Sequence, residues 1–298
     1  MRLLVTGLNG FVGGSLAVQA SKKFEVHGIY HSDTSGLPDE IHSYQLDLTD
    51  REKVVALFDQ IQPDAVIHTA AIANIDFCEN NKNQAWQVNV GITETLADLC
   101  KKSMAKMVFC STDTVFDGKK GFYTEEDAPK AVNYYAQTKI EAEKIVLNAY
   151  SKNIVARLAL VMGLPVLGKG NSFLADTIEK LKNGDYVTFP ENEIRTPIDV
   201  VTLGAALTEL ADSEFSGIIH LSGNTRINRY KMAIQIAELL SYDTGLVKGT
   251  NSNELKGRAP RPDDASMENG LAKKILNTPM LSLLEGLDLS LNFNTKLD

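Results

Sequence analysis

The stretch that most constrains this chain is Thr6-Gly7-Leu8-Asn9-Gly10-Phe11-Val12-Gly13-Gly14. It follows an apolar run, Leu3-Leu4-Val5-Thr6, that reads as a buried strand, and it leads into a helical pattern over 11–22. Gly7, Gly10 and Gly13 stand in a G-x-x-G-x-x-G spacing. Gly7 permits a tight turn, Gly10 lets a phosphate approach the backbone, and Gly13 lets helix and strand pack closely. The helix start then offers unsatisfied N–H groups and a positive dipole end to an anion. A glycine turn alone is common. Between a first strand and a first helix it reads as a dinucleotide-binding loop, to which Asn9, Phe11 and Val12 also belong.

The rest of the first half keeps the same rhythm. Val26–Tyr30, 64–71, 106–112 and 153–160 read as strands, the third and fourth of these five preceded by helical segments. Thr49-Asp50-Arg51-Glu52 reads as a capping box with Thr49 as N-cap. The pattern predicts an α/β fold, a Rossmann-type doubly wound parallel sheet covered by helices on both faces. Right-handed crossovers follow from chain chirality. After about residue 160 the rhythm loosens. Helical patterns over 173–183, 228–242 and 269–277 are separated by loops, among them 163–171 and 257–264. The reading therefore divides the chain into a dinucleotide-binding Rossmann domain, 1–161 plus 199–222, and a smaller substrate-binding region, 162–198 plus 223–298. Ile218-Ile219-His220-Leu221 is expected to return to the sheet, and Trp86 to lie in the core. With 298 residues, 44% of them hydrophobic, the chain can bury a substantial core.

Charge and cysteine usage exclude several classes. A net charge of −8 argues against broad nucleic-acid or anionic-membrane binding. No apolar run is long enough to span a bilayer, and the N-terminal run is too short for a signal peptide. Cys78, Cys100 and Cys110 have no C-x-x-C spacing, as expected of a reduced, cytoplasmic protein. The five histidines, His27, His31, His42, His68 and His220, show no metal-ligand spacing, so no metal is expected.

Two further stretches bear on chemistry. An acid at the end of the second strand would bind a ribose 2′-hydroxyl and select NAD. Tyr30 stands there instead, followed by His31 and Ser32, which tolerate a 2′-phosphate; Asp33 is the alternative acid. The expectation is NADP(H), with NAD(H) open. Further on, 133–139 reads Asn-Tyr-Tyr-Ala-Gln-Thr-Lys. In a helix, Tyr135 and Lys139 share a face and Tyr134 points elsewhere.

With "VTGLNGFVGG", "LDLTD", "DAVIHTAAIANIDFCE", "VNVGITETLA", "FCSTDTVFDG", "YYAQTK", "IRTPIDV" and "RAPRPDDAS" in order, the chain resembles the extended short-chain dehydrogenase/reductases. Within them it is most similar to the dTDP-4-dehydrorhamnose reductase family, over nearly its whole length. The resemblance implies a catalytic Thr112, Tyr135 and Lys139. It puts Asp47, with Leu48, near an adenine, Ala70 and Ala71 along the cofactor, and Asn89 on a helix near the active site. It implies NADPH-dependent reduction of the C4 keto group of a nucleotide-linked 4-keto-6-deoxy sugar. A lysine ammonium one helical turn away, together with the charge on oxidised nicotinamide, would lower the phenol pKa from about 10, so that Tyr135 serves as general acid. Thr112 would hold the substrate oxygen. Asp113, Arg195, Arg258 and Arg261 are the substrate-binding candidates, the arginines because their forks match phosphate geometry. Asp76 and Glu79 match a family pattern that also fits caps or salt bridges. The family's aromatic is Thr114 here, its glycine after the tyrosine is Ala136, and its proline is displaced to Pro129. Two other readings stay open: a nucleotide-sugar epimerase or dehydratase with bound NAD, for which Thr114 breaks the usual acid pair, and a regulatory subunit like that of methionine adenosyltransferase. A homodimer is compatible with all three.

Overall fold

The computed structural model describes residues 1–32, 36–167, 172–255 and 257–293. Six strands come first: β1 (Arg2–Thr6), β2 (Glu25–Tyr30), β3 (Ile41–Gln45), β4 (Ala65–His68), β5 (Lys106–Thr112) and β6 (Ile154–Leu158). Short strands β7 (Val161–Met162), β8 (Val187–Pro190), β9 (Ile194–Arg195) and β10 (Ile198–Asp199) follow. Then come β11 (Gly217–Leu221), β12 (Ile227–Asn228) and β13 (Val247–Thr250). The helices are α1 (Phe11–Ala20), α2 (Arg51–Ile61), α3 (Ile75–Asn80), α4 (Lys82–Trp86), α5 (Ile92–Ser103), α6 (Tyr134–Ala149), α7 (Phe173–Lys182), α8 (Val200–Ala211), α9 (Arg229–Leu239), α10 (Gly270–Ile275) and α11 (Leu283–Phe293).

The main sheet runs β11-β6-β5-β4-β1-β2-β3, and all its pairings are parallel. Strand order reverses between β1 and β4, and ligands of doubly wound sheets bind at the carboxyl ends beside such a switch. The central strands β1, β4, β5 and β6 are largely apolar because both faces are covered. Leu3, Val5, Ile67 and Val108 pack on one face; Leu4, Val66, Met107 and Phe109 pack on the other. The expected return to the sheet occurs at β11, which pairs with β6. Beyond the sheet, β7 pairs with β10, β9 with β12 and β8 with β13. Val161 of β7 and Arg195 of β9 line a pocket together with Thr112, at the carboxyl end of β5.

Several boundaries differ from the sequence reading. β3 went unrecognised because only Ile41 of its five residues is buried, so its pattern is that of an exposed edge. The strands expected over 64–71 and 153–160 are Ala65–His68 and Ile154–Leu158, and the helix over 11–22 stops at Ala20. Thr49 is not the N-cap of α2: Asp50 is, accepting from the Lys53 amide. Thr49 is instead drawn to Asp47, whose carboxylate takes both its amide and its hydroxyl. Trp86 is 44% exposed rather than in the core, and Ala85 takes the buried position on that turn. Asp33 lies outside the described residues, as do 168–171 of the expected loop 163–171.

Candidate active site

The glycine loop closes against β4 as its spacing requires. Gly7 has φ +76°, a left-handed conformation that disfavours side chains. A Cβ on Gly13 would sit 2.1 Å from the Gly7 carbonyl oxygen, so only glycine lets α1 start this close. Gly10 is the N-cap of α1 and offers no side-chain cap, which leaves first-turn amides available to a phosphate. Asn9 donates to the Ser32 carbonyl at 3.1 Å and to its hydroxyl at 3.2 Å, joining this loop to the end of β2. His31 is exposed there, with Nε2 4.0 Å from Asp47. Leu48 is buried behind Asp47.

Beside the loop lies a pocket of about 450 Å³, whose walls include Val12, Ala71, Thr112, Asp113, Tyr135 and Lys139. Each side chain has an identifiable support. Thr112 ends β5 and caps the next turn, its hydroxyl accepting from the Thr114 amide at 3.2 Å. The Tyr135 phenol lies beside the same hydroxyl. Asn133 caps α6 through the Ala136 amide, so Tyr135 and Lys139 fall in its first two turns. Lys139 donates to the Cys110 carbonyl at 2.6 Å, with its ammonium 4.0 Å from the Phe109 ring centroid. Tyr134 turns away: its amide donates to Glu79, and Lys82 lies over its ring.

Asn89 lies in a π-helical turn, Gln87–Gly91, between α4 and α5. Such single-turn irregularities are frequent at functional sites. Its side chain bonds both polar groups of the Ile72 backbone and the Thr138 hydroxyl. It thereby fixes the segment after Ala70 and Ala71 against α6.

The electrostatics differ from the spacing argument in one respect. Burial pushes the Tyr135 phenol well above its usual value, and the neighbouring Asp113 carboxylate adds to this. The expected lowering by Lys139 is absent because that ammonium is turned to the Cys110 carbonyl. Burial in turn brings Lys139 down to about 8. The pocket therefore keeps the phenol protonated at neutral pH. Asp113 is itself raised by burial. It pairs with Arg195 at 3.5 Å, and the oxygen concerned has no hydrogen-bond partner.

The facing wall is cationic. Arg195, Arg229, Arg258 and Arg261 all line the pocket. Arg261 forms a two-pronged pair with Asp76 at 2.6 and 2.8 Å. Buried Glu193 stands between Arg258, at 2.8 Å, and Arg229, at 3.7 Å. Arg229 and Glu193 were missed in the sequence, where nothing about a lone arginine at the start of α9 marks it. Also missed was the support behind α6. Glu143, one turn after Lys139, accepts from Ser111 of β5 at 2.5 Å and from Arg157 of β6 at 3.1 and 2.8 Å.

A glycine loop at a sheet switch point, beside a threonine, a tyrosine and a lysine in one pocket, defines an NAD(P)-dependent oxidoreductase of the short-chain dehydrogenase type. The chain belongs to the family whose model is described as the RmlD substrate binding domain, which matches residues 1–293. A probable low-salt glycan biosynthesis reductase of Haloferax volcanii is 30% identical over 270 residues, covering 88% of each chain. Methionine adenosyltransferase 2 subunit beta of Rattus norvegicus is 28% identical, over 90% of this chain and 80% of its own. A dTDP-4-dehydrorhamnose reductase of Aggregatibacter actinomycetemcomitans is 27% identical over 90% of both chains. Among solved structures, a hypothetical dTDP-4-dehydrorhamnose reductase from Sulfolobus tokodaii is 32% identical. It superimposes with a TM-score of 0.85, over 96% of this chain and 99% of its own. No helix among the described residues is long and apolar enough to cross a membrane.

Proposed function

We propose that this protein acts in the cytoplasm to reduce, with NADPH, the C4 ketone of a 4-keto-6-deoxy sugar carried on a nucleoside diphosphate. One observation carries the reading: Thr112, Tyr135 and Lys139 line the same pocket as four arginines. The first wall suits a carbonyl, and the second suits a diphosphate.

The residues present fit a dinucleotide. The uncapped start of α1 and the turn that a Cβ at Gly13 would block suit a pyrophosphate, and Ala70 and Ala71 flank its path. Tyr30, His31 and Ser32 stand where an NAD-selecting acid would end β2, which favours NADP over NAD. When bound, the reduced nicotinamide supplies the hydride. Thr112 donates a hydrogen bond to the substrate oxygen, and the charge developing there strengthens it. Tyr135, kept protonated by burial, gives up its O–H proton to that oxygen. Lys139, which here donates to the Cys110 carbonyl, would hold the cofactor ribose, and its charge would stabilise the tyrosinate left behind. Arg229 and Arg258, poised by Glu193, take the diphosphate.

The test is to incubate the protein with NADPH or NADH and a panel of nucleotide-linked 4-keto sugars, following loss of absorbance at the reduced nicotinamide band. Turnover is expected, faster with NADPH. A Tyr135→Phe variant that retains full activity would overturn the acid assignment. The relatedness to methionine adenosyltransferase 2 subunit beta supports a second reading, a cofactor-binding regulatory subunit. No turnover on any keto sugar, together with co-purification with a larger enzyme, would favour it.

A further inference from the structure

At the end of the sheet remote from the pocket, three side chains meet on one face. Glu25 and His27 are two residues apart on β2, so they point the same way. His42 of β3 is the register partner of His27 across the ladder. One ligand atom from each of the three lies within 4.8 Å of the others. The His27 ring is buried, while Glu25 and His42 are exposed. His27 Nε2 stands 3.1 Å from the Glu25 carboxylate, and its Nδ1 stands 3.1 Å from the Tyr44 hydroxyl.

We propose that Glu25, His27 and His42 bind a divalent transition metal of the zinc class, with solvent completing the coordination. Two imidazoles and a carboxylate are a donor set such ions accept. Ligands at the usual zinc distances stand about 3.4 Å apart in a tetrahedron, close to the existing separation of His27 and Glu25. The ion takes the place of the proton between them. That proton moves to Nδ1, which then donates to the Tyr44 hydroxyl, a bond that orients the ring. His42 is loosely stacked on His27, with ring centroids 4.8 Å apart, and its exposed ring turns out of the stack to converge on the ion. Arg2, the register partner of Glu25, does not compete for the carboxylate, since its guanidinium donates to the Ile61 carbonyl at 2.9 Å. Burial also holds His27 below its ordinary value, in the neutral form that ligates. The ion would tie the edge strand β3 to β2. His27 and His42 are far apart in sequence, so no spacing motif betrays the site.

The experiment titrates the full chain with ZnCl₂ by calorimetry, with Co²⁺ absorbance reporting coordination. One ion per chain and a higher melting temperature are expected. His42→Ala, on an exposed edge, should weaken binding at least roughly tenfold, and Tyr44→Phe should weaken it by roughly the same factor through the lost bond to His27 Nδ1. The proposal is overturned by the absence of saturable binding, by affinity unchanged in His42→Ala, or by half an ion per chain, which would mean chelation between two copies.

Discussion

The cluster of Ser111, Glu143 and Arg157 behind the pocket supports a quantitative expectation for Glu143→Gln. The Arg157 and Glu143 side chains are 2% and 3% exposed, and their bidentate contact is closed by the Ser111 hydroxyl. Removing one charge from such a pair leaves the other stranded in the interior, at about 3–5 kcal/mol. A pair of this kind replaced whole by apolar residues of similar volume is often neutral or better. Glu143→Leu combined with Arg157→Met should therefore recover most of the loss, and urea denaturation of the single and double variants measures it. The same substitution reaches the active site. Glu143 is the carboxylate that opposes the effect of burial on Lys139. Without it the lysine loses its proton at lower pH, and the alkaline limb of the reductase profile should move down with it. A loss below about 1 kcal/mol, typical of solvated pairs, would refute the argument. So would a double variant no more stable than the single.

Three further outcomes follow from the site. Tyr135→Phe should lower kcat by roughly 10²–10⁴-fold while leaving NADPH affinity near its original value, read by stopped-flow turnover and fluorescence titration. Because Lys139 is depressed to about 8, reductase kcat/KM should fall as pH rises through that value. Its folded-state pKa lies below the ordinary lysine range, so its contribution to stability rises with pH between about 8 and that range, which denaturation at several pH values would detect. Arg258→Ala should raise the KM for a nucleotide sugar by roughly 10–100-fold with little change in kcat, since a charge-assisted bond is worth about 1.5–3 kcal/mol.

The sequence revealed whatever depends on local chain geometry. Gly7, Gly10 and Gly13 announced a strand–turn–helix unit because few residues other than glycine satisfy those positions. Tyr135 and Lys139 were separated from Tyr134 by helical spacing alone, and α6 keeps that separation. β3 escaped notice because a five-residue edge strand with one buried side chain has no hydrophobic period to read. Trp86 was misjudged because aromatic character says nothing about which way a short helix turns.

Other properties existed only once segments separated in the sequence lay side by side. The high pKa of Tyr135 comes from burial and from Asp113, which arrives on a different element. Glu193 acquires its arginines, Glu143 its clamp, and His27 its partner His42 through pairings that are non-local in sequence. Hydrogen-bond spacing and glycine conformation are local, and the amino-acid order specifies them directly. Desolvation and charge pairing depend on what the fold brings near, so the protonation of the pocket was settled by tertiary structure.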